Sequence, residues 1–377
     1  MEILKEFLSR CVAGVLAIIL GVTVPVAPEG LQGGAELPTG GEVVERPEDS
    51  TFSIRFLDVG QADSALVECD GHYMLIDGGN VADSSLLYSV LKDTGVSKLD
   101  IVVGTHPHED HIGGLAGALN YAAADLVLCS TTNYDTKAFQ SFKKYAELNG
   151  GGIKVPSVGD KFELGSARVE IMSLNAGGGS GENNDSIILR IIYGNTSFLF
   201  TGDAEREAEQ MILDAEVDLS ATVLKVGHHG SDNSSTYSFL REIMPEYAVI
   251  SVGKDNSYGH PGDGTLSRLR DAGTTVYRTD FNGDIVCTSD GEQVFFTVEK
   301  YPGISGTNVV GPQVSTDPDR GEDEVQADYV LNINTLKFHD PNCNSVDKMS
   351  EKNKKLYTGN REALISQGYS PCGNCKP

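Results

Sequence analysis

A dense cluster of metal-binding side chains is the feature that most constrains this chain. It is the decapeptide Thr105-His-Pro-His-Glu-Asp-His-Ile-Gly-Gly114, which directly follows the apolar run Leu99–Val103. Three of the eight histidines in the 377 residues fall within six of these positions. Imidazoles and a carboxylate so close together would be costly to bury without a partner, and a divalent cation suits them. The segment predicts a metal-binding loop at a strand end, with a polar turn as the alternative.

The arrangement His-x-His-x-Asp-His after an apolar strand resembles the signature of the metallo-β-lactamase superfamily. Five further motifs follow the family order, at Phe56–Ser64, Leu75–Gly79, Phe200–Asp203, Lys225–Ser231 and Asn256–Pro261. Over about residues 52–299 the chain is most similar to the hydrolase domain of ComEC-type competence proteins. The resemblance implies the α/β class, a four-layer αββα sandwich, and hydrolysis that depends on two divalent metals.

The same resemblance implies a set of metal ligands, which are His106, His108, Asp110, His111, Asp203, His228 and His229. His106 and His108 would hold one ion, and Asp110 and His111 a second. Asp203 would bridge both ions, although a helix N-cap is an alternative role for it. One of the two adjacent histidines near residue 228 would complete the second ion's shell while the other faces substrate, and the sequence does not say which.

Three residues are predicted to be catalytic: Asp110, His229 and His260. Asp110 would orient the attacking hydroxide, and His260 would contact phosphate or donate a proton to the leaving alkoxide. The family pattern places Asp58, Gln61, Asp63 and Asp77 near the metals, with ordinary turn chemistry as the alternative for all four, and Asn184 is a further candidate near the site. Asp77 is expected to hydrogen-bond a ligand histidine.

The chain departs from the wider superfamily at the first ion. No histidine lies between His111 and His228, so the third histidine that this ion usually has is missing. Asn184 or Asp185 would supply an oxygen there or hold a water, and weak, exchangeable occupancy of this site is the alternative. Oxygen ligands favour harder ions, which makes manganese a rival to zinc at this site.

Composition and missing motifs narrow the activity. The net charge of −25 and the absence of tryptophan argue against a general electrostatic grip on nucleic acid. There is no Gly-x-Ser-x-Gly elbow and no phosphate-binding Gly-x-x-x-x-Gly-Lys loop, which argues against a serine hydrolase or a nucleotide cofactor. Two metals would instead activate a bridging water as hydroxide.

Two linkers divide the chain. Lys5 and Arg10 precede an uncharged run over 11–27, which predicts a signal peptide or a membrane anchor, with a buried helix as the alternative. Gly- and Pro-rich sequence follows, and a second, acidic break comes after residue 300. The predicted segments are the signal or anchor over 1–28, a flexible linker over 29–50, the hydrolase domain over 51–300, an acidic linker over 301–327 and a zinc-binding module over 328–377.

The C-terminal module carries a second candidate metal site. One histidine and three cysteines, the set that tetrahedral structural zinc prefers, are His339, Cys343, Cys372 and Cys375. A disulfide is the alternative, but it would leave one cysteine over. This tail resembles the small metal-binding module of the Ada alkylation-repair protein, which uses four cysteines. Because His339 stands in for one of them, a structural or contact role is expected rather than methyl transfer.

The sequence thus predicts an exported, dinuclear metal-dependent hydrolase on the outer face of the cytoplasmic membrane or beyond it. A phosphodiesterase or nuclease is the leading interpretation, with DNA or another phosphodiester as substrate and zinc or manganese as the ions. The alternatives are a small-molecule or cell-wall phosphodiesterase, a lactonase-type hydrolase, and a surface protein that binds without catalysis.

Overall fold

The structure is a computed structural model. It describes residues 46–47, 49–179 and 182–300, and toward the C-terminus 327–332, 335, 337–341, 343–359, 364, 369–372 and 375. The predicted segment 1–28, most of the predicted linker 29–50 and residues 301–326 of the acidic linker lie outside this set. No helix among the described residues is long and apolar enough to cross a membrane.

Strands β1–β15 form two sheets. They are β1 (Phe52–Phe56), β2 (Ala65–Cys69), β3 (His72–Ile76), β4 (Lys98–Gly104), β5 (Ala123–Cys129), β6 (Ile153–Lys154), β7 (Lys161–Leu164), β8 (Ala167–Ser173), β9 (Ile188–Tyr193), β10 (Thr196–Phe200), β11 (Val223–Lys225), β12 (Tyr247–Ile250), β13 (Thr275–Arg278), β14 (Ile285–Ser289) and β15 (Val294–Val298). The first sheet has the order β15-β14-β1-β2-β3-β4-β5-β6, and the second β13-β12-β11-β10-β9-β8-β7.

Helices cover the outer faces of both sheets. They are α1 (Ser84–Asp93), α2 (Glu109–Ile112), α3 (Leu115–Tyr121), α4 (Lys137–Asn149), α5 (Arg206–Asp214), α6 (Tyr237–Ile243), α7 (Asp263–Asp271) and α8 (Thr279–Asn282). Helices α1, α3 and α4 pack on the first sheet through Leu87, Leu119 and Phe142. Helices α5, α6 and α7 pack on the second through Ile212, Leu240 and Leu269. The predicted αββα sandwich is confirmed.

The largest core lies between the two sheets, and the alternation of side chains along each strand creates it. In β3, Met74 and Ile76 point into this core, whereas Leu75 points to the helices on the other side. Across the gap, Phe52 stacks on both Tyr193 and Phe198, with ring centroids 4.9 and 4.8 Å apart. Each buried aromatic ring removes a large apolar surface from water, which holds the sheets face to face.

The helical and β-type patterns in the sequence predict most of these elements to within one or two residues. The helical pattern over residues 84–94 corresponds to α1, and the β-type runs over 186–192 and 197–200 form the hairpin of β9 and β10, joined where Tyr193 pairs with Thr196. Strands β3 and β4 are parallel neighbours, as are β10, β11 and β12. The carboxyl ends of these parallel strands, where the polar motifs begin, therefore share one edge of the sandwich.

The C-terminal residues form a third, smaller sheet. Its strands are β16 (Ala327–Asn332), β17 (Lys337–His339), β18 (Lys354–Gly359) and β19 (Ser370–Pro371), in the order β18-β16-β17-β19. A short helix, α9 (Asn344–Asp347), follows Cys343. Tyr329, Leu331 and Phe338 form a small apolar cluster with Leu364.

Candidate metal centre

The loop after β4 is held by one buried carboxylate. Asp77, at the end of β3, accepts hydrogen bonds from the backbone N–H of Thr105 at 2.7 Å and from the Thr105 hydroxyl at 2.9 Å. Its Oδ2 lies 2.9 Å from Nδ1 of His111, which leaves Nε2 of that ring to face the centre of the site. Asp77 has a left-handed backbone (φ 56°), an uncommon conformation that is retained at functional sites.

Asp203 occupies the middle of the site. It follows β10 and the left-handed Gly202, where an added Cβ would lie 2.9 Å from the Ser186 hydroxyl oxygen. That hydroxyl accepts the backbone N–H of Asp203 at 3.0 Å, so the close approach requires glycine. The two carboxylate oxygens of Asp203 face different groups of imidazoles.

The Oδ1 atom of Asp203 faces a compact group of donors. It lies 3.1 Å from Nε2 of His111 and 3.8 Å from Nε2 of His229. Nε2 of His229 is in turn 3.3 Å from Oδ2 of Asp110. Ligand atoms from all four residues lie within 4.8 Å of one another, which is the spacing that a single cation can span.

The chemistry of this group fits a cation. Nε2 of His111 and Oδ1 of Asp203 are both buried, and neither has a hydrogen-bond partner among the described residues. Their separation of 3.1 Å lacks the geometry of a hydrogen bond, and both atoms border the same space. Buried polar atoms without partners are costly unless an ion or water satisfies them. Asp110, His111, Asp203 and His229 would therefore hold a divalent metal.

The Oδ2 atom of Asp203 faces the other histidines. Nε2 of His106 lies 4.0 Å away and Nε2 of His228 lies 3.7 Å away. Nε2 of His106 is also 3.0 Å from Nδ1 of His108. The donors predicted for the first ion thus lie on this side of the carboxylate, together with His228. Their approach to Asp203 is longer than the 3.1 Å contact on the other side.

The adjacent histidines reach opposite sides of Asp203 because the backbone turns between them. His228 and His229 both have left-handed conformations, with φ of 50° and 51°. Extended neighbours would point to opposite faces of a strand and away from a shared centre. The turn brings His229 into the group with Asp110 and His111. His228 faces the Oδ2 side, and Oε1 of Glu205 lies 3.1 Å from its Nδ1.

Charges in the site are strongly coupled. Burial opposes ionisation of Asp203, yet His111 and His229 hold its pKa well below the usual range. Although burial disfavours a charged imidazole, Asp203 and Asp63 raise the pKa of His229 to about 10. Burial and the neighbouring His111 lower the pKa of His106 well below its ordinary value. A bound cation would take the place of the protons on His111 and His229.

A buried ion pair supports His229 from behind. Nζ of Lys225, the last residue of β11, lies 2.7 Å from Oδ2 of Asp63 and donates to the Val226 carbonyl at 3.0 Å. Oδ1 of Asp63 lies 3.2 Å from Nδ1 of His229, and the Ser251 carbonyl lies 3.0 Å from the same nitrogen. These contacts direct Nε2 of His229 toward Asp110 and Asp203. Despite burial, Lys225 and His229 keep the pKa of Asp63 well below its usual range.

The other predicted site residues lie in different surroundings. The ring of His260 is 5.5 Å from that of His228, and its Nδ1 is 3.5 Å from the Gln61 amide nitrogen. Asn184 uses its side-chain oxygen to accept the Glu205 backbone N–H at 2.9 Å, and its amide donates to Glu207. Asp58 pairs with Lys300 at 3.3 Å.

Several residues that shape the site have no role predicted from the sequence, and these are Thr105, Asn183, Glu205 and Lys225. The partner of Lys225 was predictable in kind, because a lysine inside the apolar run Val223–Val226 needs a buried acidic or polar partner. The amide nitrogen of Asn183 lies 3.4 Å from Nε2 of His228. No feature of the sequence distinguishes Asn183 from Asn184 as the residue with this contact.

The C-terminal cysteines and histidine form a second cluster. One ligand atom each from His339, Cys343, Cys372 and Cys375 lie within 4.8 Å of one another. The sulfurs of Cys343 and Cys372 are 4.0 Å apart, about twice the length of a disulfide bond. Neither ring nitrogen of His339 has a hydrogen-bond partner among the described residues. Burial lowers the pKa of His339, which favours the neutral imidazole that binds metal.

Comparisons with known proteins identify the family of the chain. The family model described as Metallo-beta-lactamase superfamily matches residues 57–254, and the chain belongs to this superfamily, whose members are mostly metal-dependent hydrolases. The predicted resemblance to this superfamily is therefore confirmed.

Competence proteins are among its relatives. ComE operon protein 3 of Bacillus subtilis (strain 168) is 30% identical over 254 residues, covering 63% of this chain and 33% of that protein. Competence protein ComA of Neisseria gonorrhoeae is 30% identical over 259 residues, covering 67% of this chain and 35% of that protein. The chain thus spans about a third of the length of these relatives. The similarity to competence proteins predicted from the motifs is confirmed.

Among solved structures, the metallo-beta-lactamase fold protein YhfI from Bacillus subtilis aligns with a TM-score of 0.43 at 12% identity, covering 63% of this chain and 100% of that one.

The resemblance of residues 328–377 to the Ada module stays a prediction.

Replacing Lys225 by methionine breaks a buried ion pair and should lower the free energy of unfolding of the metal-free domain by about 3 kcal/mol. This value is the low end of the usual range because His229 remains beside Asp63 and offsets part of its charge. Urea unfolding in the presence of a chelator measures this. Lys300→Met, which removes an exposed partner of Asp58, should cost under about 1 kcal/mol. Adding Asp63→Asn to Lys225→Met should recover part of the loss. Equal effects of the two lysine variants would contradict the assigned role.

Proposed function

We propose that this protein is a metal-dependent phosphodiesterase that cleaves DNA. The observation that carries the proposal is the group of four ligands, Asp110, His111, Asp203 and His229, with further histidines on the other oxygen of Asp203. Divalent ions held there would supply an activated water and positive charge against a phosphoryl oxygen. A protein nucleophile is then not required.

The chain's own residues have distinct parts in this proposal. Asp110, whose Oδ2 lies 3.3 Å from His229, would orient the attacking water. His260 lies at the edge of the site, half-buried, and burial lowers its pKa. A neutral His260 would donate its N–H to a phosphoryl oxygen, which favours the phosphate-contacting role over that of a cationic acid. Lys225 and Asp63 would hold His229 in place.

Net charge and the related competence proteins support the proposed substrate class. An acidic chain with net charge −25 has little general attraction for a polyanion, so the bound metals would provide the local positive charge. The named competence proteins that share this domain support DNA over other phosphodiesters. Zinc and manganese are both candidates for the ions.

The test combines metal content with hydrolysis by the full chain. After chelation and addition of zinc or manganese, we expect cleavage of bis-para-nitrophenyl phosphate and of linear DNA. Asp203→Asn should lower both rates by at least about 100-fold, because a ligand shared by both groups of histidines is lost. Asp214→Asn, an exposed carboxylate in α5, should leave both rates unchanged.

Other outcomes would favour the alternatives. Cleavage of the small ester alone would indicate a small-molecule or cell-wall phosphodiesterase. Hydrolysis of lactones alone would indicate a lactonase. A metal-loaded protein without turnover would point to a binding protein.

We further propose that His339, Cys343, Cys372 and Cys375 bind a structural zinc ion. Cys375→Ser should lower the zinc content by about one ion per chain, because three ligands hold the metal less tightly than four. Cys287→Ser changes a buried cysteine of β14 that belongs to no ligand cluster among the described residues, and it should leave the zinc content unchanged. Elemental analysis of the purified variants measures this. A wild-type mass two daltons below that of the reduced chain, with no zinc, would instead indicate a disulfide.

The proposal also places the hydrolase domain outside the cytoplasmic membrane. It is supported by the uncharged run over 11–27 behind Lys5 and Arg10. Protease added to intact spheroplasts should then degrade the hydrolase domain while a cytoplasmic marker stays intact. Protection of both proteins until lysis would contradict export.

A further inference from the structure

Tyr258 is the most exposed of the described aromatic side chains, with 73% of its surface accessible. It belongs to the segment Asn256–Pro261, whose histidine has a place in the proposed mechanism but whose tyrosine has none. A single exposed aromatic residue needs no explanation by itself. The position and support of this one relative to the metal centre are what distinguish it.

The segment is held rigidly by Asn256. The amide of Asn256 donates to the carbonyls of Gly253 and His260, at 2.9 and 2.6 Å. Its side-chain oxygen accepts the backbone N–H groups of Tyr258 and His260, both at 3.1 Å. Four hydrogen bonds from one side chain fix the backbone of the loop, so the exposed ring projects from a fixed point beside His260. Such preorganisation lowers the entropic cost of binding a ligand.

Aromatic rings connect Tyr258 to the metal centre. Its ring stacks on that of His260, with centroids 5.8 Å apart and planes inclined by 28°. The His260 ring lies 5.5 Å from that of His228, whose Nε2 is 3.7 Å from Asp203. A phosphodiester at the metals would therefore have the Tyr258 ring beside the adjoining part of the same substrate.

We propose that Tyr258 is a substrate-binding residue that stacks on the nucleobase next to the scissile phosphodiester. The inference rests on the proposed function and extends it. An acidic protein gains little from phosphate contacts, whereas stacking on a tyrosine does not depend on net charge and tolerates any base. The base must leave its neighbours to lie on Tyr258, so single-stranded DNA should be cleaved faster than duplex DNA.

The test compares substrates that share a backbone but differ in their bases. A single-stranded oligothymidylate and an abasic strand of the same length are cleaved by the metal-loaded full chain. In the wild type, we expect the abasic strand to have a KM about tenfold higher, the effect of losing one stacked base. Tyr258→Ala should raise the KM of oligothymidylate by about the same factor and leave its kcat and the abasic rates unchanged.

Two variants sharpen the comparison. Tyr258→Phe keeps the ring and should behave as the wild type. Tyr237→Ala removes another exposed tyrosine, at the start of α6 and bonded to Asp271, and should also leave both KM values unchanged.

The contrary results are distinct. Equal KM values for both strands in the wild type and in Tyr258→Ala would overturn the stacking assignment while the phosphodiesterase activity stands. Cleavage of neither strand would overturn the proposed function and the assignment with it. Preference for para-nitrophenyl phosphorylcholine, lost in Tyr258→Ala, would assign the ring to a quaternary ammonium group instead.

Discussion

The site depends on the placement of one carboxylate between two sets of imidazoles. Asp203 faces His111 and His229 with one oxygen and His106 and His228 with the other. Several of these side chains are buried, and so many ionisable groups are tolerable there only when they neutralise one another or share a cation. The raised pKa of His229 and the lowered pKa of Asp203 show that these groups neutralise one another when no metal is bound. A metal would provide the second.

This placement is a consequence of how the two sheets pack. Phe56, the last residue of β1, stacks across the gap on Phe200, the last residue of β10, with centroids 5.8 Å apart. Asp203 lies three residues after Phe200 in the sequence. The inter-sheet core therefore ends directly beneath the metal centre, and strand ends from both sheets meet there. Packing energy, not the ligands themselves, brings together residues separated by more than 100 positions in sequence.

The sequence made the fold and the ligand types predictable, because apolar strands end in polar motifs whose order matches a known family. It could not assign the adjacent histidines to their sides of Asp203. That assignment depends on two left-handed residues in succession, which no local pattern of His228-His229 reveals. Nor did it give the pairing of Lys225 with Asp63, because these residues meet only through the packing of β11 against the loop after β1. Long-range contacts of this kind are set by topology.

The acidic composition is compatible with a DNA substrate if attraction is confined to the site. Asp63, which would otherwise add negative charge there, is already paired with Lys225. Two divalent ions would bring roughly four positive charges against the carboxylates of Asp110 and Asp203 that bind them. The centre would then be locally positive within a protein of net charge −25. Attraction of this kind falls off within about 10 Å in salt, so it would act on the scissile phosphate and leave the flanking chain to other contacts. The ring of Tyr258 at the rim can provide such a contact to the flanking chain, because stacking does not require opposite charge.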